Sequence, residues 1–87
     1  MTAHADMDTE GLRQRLAELI SQATSGAIPV SEALAGSSLR ALGLDSLSAL
    51  RLIDAIDLEY GVEIDIGGAL GPDTLDDVVA NIVDRLA

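Results

Sequence analysis

The sequence predicts an all-α protein: a small four-helix bundle with three longer helices, a short irregular third helix, and a long loop between helices one and two. Three observations carry this expectation. Apolar residues recur at helical spacing in three separate stretches. Start and stop residues bracket those stretches. The single alternating stretch, Val62 to Ile66, has no second candidate strand with which to pair. With 87 residues, 48% of them apolar, the chain reads as one domain over 1–87, residues 1–7 forming an unpatterned tail.

Helix one follows from Leu12, Leu16, Leu19, Ile20 and Ala23 on one face, between Asp8 or Thr9 as a start signal and Gly26 as a stop. From Ser25 to Asp45 the pattern breaks around Gly26, Pro29 and Gly36, with one short turn expected at Ser38-Leu39-Arg40-Ala41-Leu42 before Gly43. A connection of this length in a small domain suggests function, while Ile28, Val30, Leu39 and Leu42 are positioned to pin it to the core. Helix two should start at Asp45 or Ser46, both good N-caps, and run to about Tyr60, where Gly61 terminates it.

Beyond it, Val62, Ile64 and Ile66 alternate with Glu63 and Asp65. A lone strand would leave its backbone groups unpaired, so an extended segment tucked against the helices is expected instead. Gly67 to Gly71 allows one irregular turn, the short third helix of the bundle. The last helix has Thr74 as N-cap, Asp77 three residues on, and Leu75, Val78, Val79, Ile82, Val83 and Leu86 along one face. Asp73, Asp76 and Asp77 at its start and Arg85 at its end suit the helix dipole.

Composition excludes several functions. Without cysteine there is no thiolate metal site, and His4 is the sole histidine, so zinc chemistry is not expected. A Ser-His-Asp arrangement would need His4 held rigidly, which the tail gives no reason to expect. No twelve-residue calcium loop is present, and no glycine-rich phosphate loop follows a strand. Five arginines, no lysines and fifteen carboxylates give a net charge of -10, which repels nucleic acid and anionic membranes, attracts basic proteins and favours a monomer. The start MTAHADMDTEG lacks a signal-peptide pattern, and no apolar run approaches the roughly 20 residues of a membrane span, so the cytoplasm is the expected location.

Helix two is the anomalous element. At about 100° per residue it carries two apolar stripes. Ala49, Leu52, Ile53, Ile56 and Tyr60 form a core face, whereas Leu47, Leu50 and Leu58 lie opposite, interleaved with Arg51 and Asp54. Charges are not buried cheaply, so the second stripe is expected at the surface as a docking patch with polar edges. At its start stands Ser46, the one serine of seven that adjoins a carboxylate, opens a helix and sits between two leucines, Leu44 and Leu47. A helix N-terminus stabilises a phosphate through its free N–H groups and dipole. No general base lies within reach of this hydroxyl, so an outside enzyme would have to modify it.

The run Leu42-Gly43-Leu44-Asp45-Ser46-Leu47, followed by Leu50 and Ile53, resembles the attachment motif of acyl carrier proteins. The likeness extends to the first helix, the long loop, Gly61-Val62-Glu63-Ile64, and a final helix opening with Thr74-Leu75. The resemblance implies a discrete carrier, a substrate and shuttle rather than an enzyme. Ser46 would receive 4'-phosphopantetheine from coenzyme A through a phosphopantetheinyl transferase, and acyl or aminoacyl cargo would ride as a thioester on the arm. It further implies docking of acyltransferases, adenylating or ligase enzymes and synthases on helix two and the preceding loop. Contacts would come from Leu44, Asp45, Leu47, Leu50, Arg51, Asp54 and Leu58.

Arg51 and Leu58 stand where fatty acid synthesis carriers commonly have acids, and Asp54 where they have an apolar residue. This departure points to polyketide or mixed peptide-polyketide biosynthesis, with a fatty acid synthesis carrier as the alternative. The motif does not exclude amino acid cargo. The rival from another class is an acidic helical interaction module without covalent cargo, which accounts for the charge but not for Ser46, Asp45 and the stripe together.

Overall fold

A computed structural model describes residues 9–66 and 71–86. Five helices occur among them: α1 (Thr9–Ala23), α2 (Val30–Leu34), α3 (Leu39–Leu42), α4 (Ser46–Tyr60) and α5 (Leu75–Leu86). The three long helices are those the apolar spacing predicts. α1 packs against α2, α4 and α5, because its own face of Leu12, Leu16, Leu19, Ile20 and Ala23 is buried, together with Ala17. Its end is set locally: the Thr24 hydroxyl donates to the Ile20 carbonyl at 2.9 Å and accepts from the Ile28 N–H at 3.1 Å, so the chain turns and Ile28 drops fully into the core.

The long connection is more ordered than the sequence suggests, and the expected single turn is corrected to two short helices. The turn at Ser38–Leu42 is present as α3, capped by the Ser38 hydroxyl on the Ala41 N–H at 3.2 Å. The unforeseen one is α2, which starts because the Pro29 carbonyl accepts from both Glu32 and Ala33 N–H. Proline favours helix starts, since its missing N–H has no acceptor there in any case. The short third helix expected near Gly67 to Gly71 lies largely outside the described residues, as does Asp8.

No strand is present among the described residues. Residues 62–66 run extended with Val62, Ile64 and Ile66 buried and Glu63 and Asp65 exposed, so the alternation reports one apolar edge laid against helices. Gly61 makes that turn possible at φ +70°, a left-handed cap whose N–H donates to the Asp57 carbonyl. α5 opens with the predicted reciprocal cap: Thr74 Oγ1 accepts from the Asp77 N–H at 3.2 Å, and the Asp77 carboxylate accepts from the Thr74 N–H at 3.4 Å. Leu75, Val78, Val79 and Ile82 are buried as expected, Val83 is half-buried, and Leu86 departs from the predicted face at 43% exposed.

Among the described residues nine large side chains are essentially inaccessible, including Leu16, Ile20, Leu39, Leu52, Ile56 and Ile82. Each contributes about 1.5–3 kcal/mol by leaving water. Two arginines align the helices from outside. Arg13 reaches Asp76 at 2.8 Å and the Leu34 carbonyl at 3.2 Å, joining α1 to α5 and α2. Arg15 grips Glu59 at 2.6 and 2.8 Å, joining α1 to the end of α4. Solvent screens such pairs, so they set register more than they stabilise.

Candidate functional site

The run from Leu42 to Leu47 is shaped by one glycine. Gly43 takes φ +122°, a conformation that L side chains rarely adopt, and ends α3. The Leu44 N–H then donates to the Leu39 carbonyl at 2.9 Å and the Leu44 side chain turns into the core at 9% exposed. Apolar burial takes the Leu44 side chain inward, away from the exposed stripe.

Between Asp45 and Ser46, the structure assigns the cap to Asp45. Its Oδ1 accepts from the Ser48 N–H at 2.8 Å and its carbonyl from the Ala49 N–H at 2.9 Å. The Ser48 N–H, joined by the Ser48 hydroxyl, holds the Asp45 carboxyl below the usual carboxylate range, with Arg51 adding a smaller attraction. Ser48 is buried and is a site residue the sequence reasoning missed; its place three residues after the cap is the signal that could have found it.

Ser46 is therefore the first helical residue, exposed, with a hydroxyl that makes no hydrogen bond among the described residues. The N–H groups of Ser46 and Leu47 are likewise unclaimed, as helix geometry requires of a first turn.

Ser46 sits on a cleft of about 560 Å³ between α4, the segment ending at Ile66 and the approach to α5. Leu44, Ala49, Leu50, Ile53 and Ile66 supply its apolar lining. Arg40, Asp45, Asp65 and Asp73 supply the polar lining. Arg40, Asp65 and Asp73 were not singled out as site residues from sequence, because three separate segments bring them here. Asp73 clasps α3: its carboxylate accepts from the Ser38 hydroxyl at 2.5 Å and the Arg40 N–H at 3.3 Å, while its carbonyl accepts from the Leu39 N–H at 2.7 Å. The Ser38 hydroxyl is the main reason the Asp73 carboxyl lies below its ordinary range, with help from the Arg40 backbone and charge.

The two stripes of α4 separate as the spacing predicts. Ala49, Leu52 and Ile56 are buried, with Ile53 and Tyr60 half-buried. Leu47, Leu50 and Leu58 are 56%, 63% and 81% exposed, and Arg51 and Asp54 are exposed among them. A second groove beside the stripe carries Asp54, Asp57, Glu63 and Asp65, with Arg85 at one side. Among the described residues no cluster of three or more His, Cys, Asp or Glu is arranged to hold a metal ion. No helix there is long and apolar enough to cross a membrane.

The scaffold is all-α, and a helix-start serine lies outside its own capping bonds and beside a cleft. The family of the phosphopantetheine attachment site matches residues 12–82, and the chain belongs to it. Searches of curated proteins and of solved structures return no significant match. The group that family carries is covalent 4'-phosphopantetheine.

The residues at the start of α4 fit such a group: an exposed alcohol for the ester, two unclaimed N–H groups and the positive helix end for a phosphate, and an adjoining apolar lining. Domains of this family work with phosphopantetheinyl transferases and partner enzymes in general.

Proposed function

We propose that the chain is a carrier whose Ser46 bears the 4'-phosphopantetheine arm and which presents acyl or aminoacyl intermediates to partner enzymes in polyketide or mixed peptide-polyketide biosynthesis. The observation that carries the reading is the division of labour at the start of α4, where Asp45 caps the helix and leaves the Ser46 hydroxyl exposed and unbonded. When bound, the arm supplies a terminal thiol that holds cargo as a thioester.

The protein's own residues do the rest. Asp45 holds the helix end in the geometry that aims Ser46 outward, and Gly43 brings the chain into it. A phosphate on Ser46 would lie against the Ser46 and Leu47 N–H groups. Leu47, Leu50 and Leu58 would give partner enzymes apolar contact, while Arg51 and Asp54 between them would demand a partner face of matching charge. That mixed pattern supports a biosynthetic system other than fatty acid synthesis.

Intact mass after incubation with coenzyme A, Mg²⁺ and a broad-specificity phosphopantetheinyl transferase tests the reading. A gain equal to the arm, absent in Ser46→Ala, is the expected result. An unmodified mass in the folded protein would favour an acidic interaction module instead.

A further inference from the structure

We propose that the outward face of α4 pairs with the same face of a second copy of this chain, the two helices running antiparallel about a twofold axis. The inference goes beyond the carrier reading and does not need Ser46 to be modified. Leu47, Arg51, Asp54 and Leu58 stand at intervals of four, three and four residues, so at about 100° per residue they fall along one line, opposite the buried Ala49, Leu52 and Ile56. The order leucine, cation, anion, leucine is symmetric in shape and opposite in charge about the midpoint between Leu52 and Ile53. All four side chains are exposed. Arg51 and Asp54 are neighbours on the helix surface, yet neither makes an ion pair or hydrogen bond among the described residues.

A twofold axis at that midpoint, perpendicular to the helix, sets Leu47 against the second copy's Leu58 and Arg51 against the second copy's Asp54, each contact occurring twice. A parallel arrangement would set Arg51 against Arg51 and Asp54 against Asp54, which like charge opposes. Leu50, 63% exposed, would lie with its copy along one flank of the contact. The line is about 16 Å long at ~1.5 Å per residue, and one helix face of that length covers roughly a few hundred Å², well under the roughly 800 Å² per partner of a stable complex. The net charge of -10 opposes association further. The pairing is therefore weak, with a dissociation constant on the order of 1 mM. It covers the leucines that enzyme docking would use, so self-pairing and docking exclude one another.

Sedimentation equilibrium of the full chain from about 0.05 to 2 mM, at about 0.15 M salt where the Debye length is about 8 Å, reads the association. The expected result is an average mass that rises with concentration toward twice the monomer's. Arg51→Asp and Asp54→Arg should each weaken the association about tenfold, since each variant sets like charges together in both symmetric contacts. Arg51→Asp raises the net negative charge by two and Asp54→Arg lowers it by two, so general repulsion would move the variants in opposite directions, whereas pairing weakens both. Arg51→Asp combined with Asp54→Arg should restore the association, because both copies carry the same exchange; an enzyme face would gain nothing from it. Circular dichroism melting midpoints equal to the parent's would show that the fold is intact in all three variants. A monomer throughout the range, a combined exchange that stays monomeric, or stronger association in Asp54→Arg overturns the pairing. An enzyme that binds the stripe of such a monomer would then have that face to itself.

Discussion

Replacing Leu52 and Leu58 by alanine, one at a time, compares the same chemical change on the same helix at opposite faces. Leu52 is 0% exposed and Leu58 is 81% exposed. Both changes alter helix propensity alike, so the difference between them isolates burial. At position 52 the lost transfer free energy is about 2 kcal/mol, at ~0.8 kcal/mol per methylene-sized group, and the cavity left behind brings the total to about 3–5 kcal/mol. At position 58 the side chain is already in water and the change should stay within about 0.5 kcal/mol.

A domain of this size typically has a stability of about 4–13 kcal/mol, so Leu52→Ala removes a large fraction of it. Each kcal/mol lowers the melting midpoint by about 4–8 °C, which puts Leu52→Ala at least 12 °C below the parent. Far-UV circular dichroism is the appropriate probe, because the chain has no tryptophan and Tyr60 is its one aromatic residue. Equal midpoint shifts in the two variants would refute the assignment of α4's two faces.

Charge reversal by Arg51→Glu or Asp54→Arg should weaken association with a cognate enzyme, read by titration calorimetry, with the melting midpoint unchanged; normal binding by both variants would remove these residues from the docking surface. Asp73 has a carboxyl held below its ordinary value by Ser38, so its stabilising effect is full above the unfolded value of about 3.9 and is lost as pH falls through the lower folded value. A carbon-detected NMR titration should show that depressed midpoint, and Asp73→Asn should flatten the acid limb of stability against pH; a midpoint at or above about 3.9 contradicts the clasp. Gly61→Ala meets no atom within 4 Å but forces a Cβ into φ +70°, so a loss of about 1–2 kcal/mol from the backbone alone is expected in a urea melt.

How far the sequence could be read varies with the range of the interactions involved. The three long helices, the Thr74–Asp77 cap, the Gly61 terminator and the rejection of a strand at Val62–Ile66 were all legible, because each depends on residues a few positions apart. The same is true of α4's two stripes and of the motif around Ser46. α2 was missed because Pro29 and Gly36 were read as breakers, whereas Pro29 lies at the helix start and its carbonyl accepts the first hydrogen bonds. Leu44 turns inward although its neighbours in sequence, Asp45 and Leu47, are exposed, because the turn at Gly43 rotates it.

Local chemistry alone therefore determined that this is an acidic, cysteine-free helical protein with a serine at the start of a two-faced helix. Only the tertiary structure decided that Asp45 rather than Ser46 caps that helix, since either side chain satisfies the rule and the fold selects one geometry. It also brought Arg40, Asp65 and Asp73 around Ser46 from three segments. Periodicity and capping are encoded within a turn or two of chain, but a cleft is made by residues dozens of positions apart, and their meeting follows from packing the whole apolar surface at once.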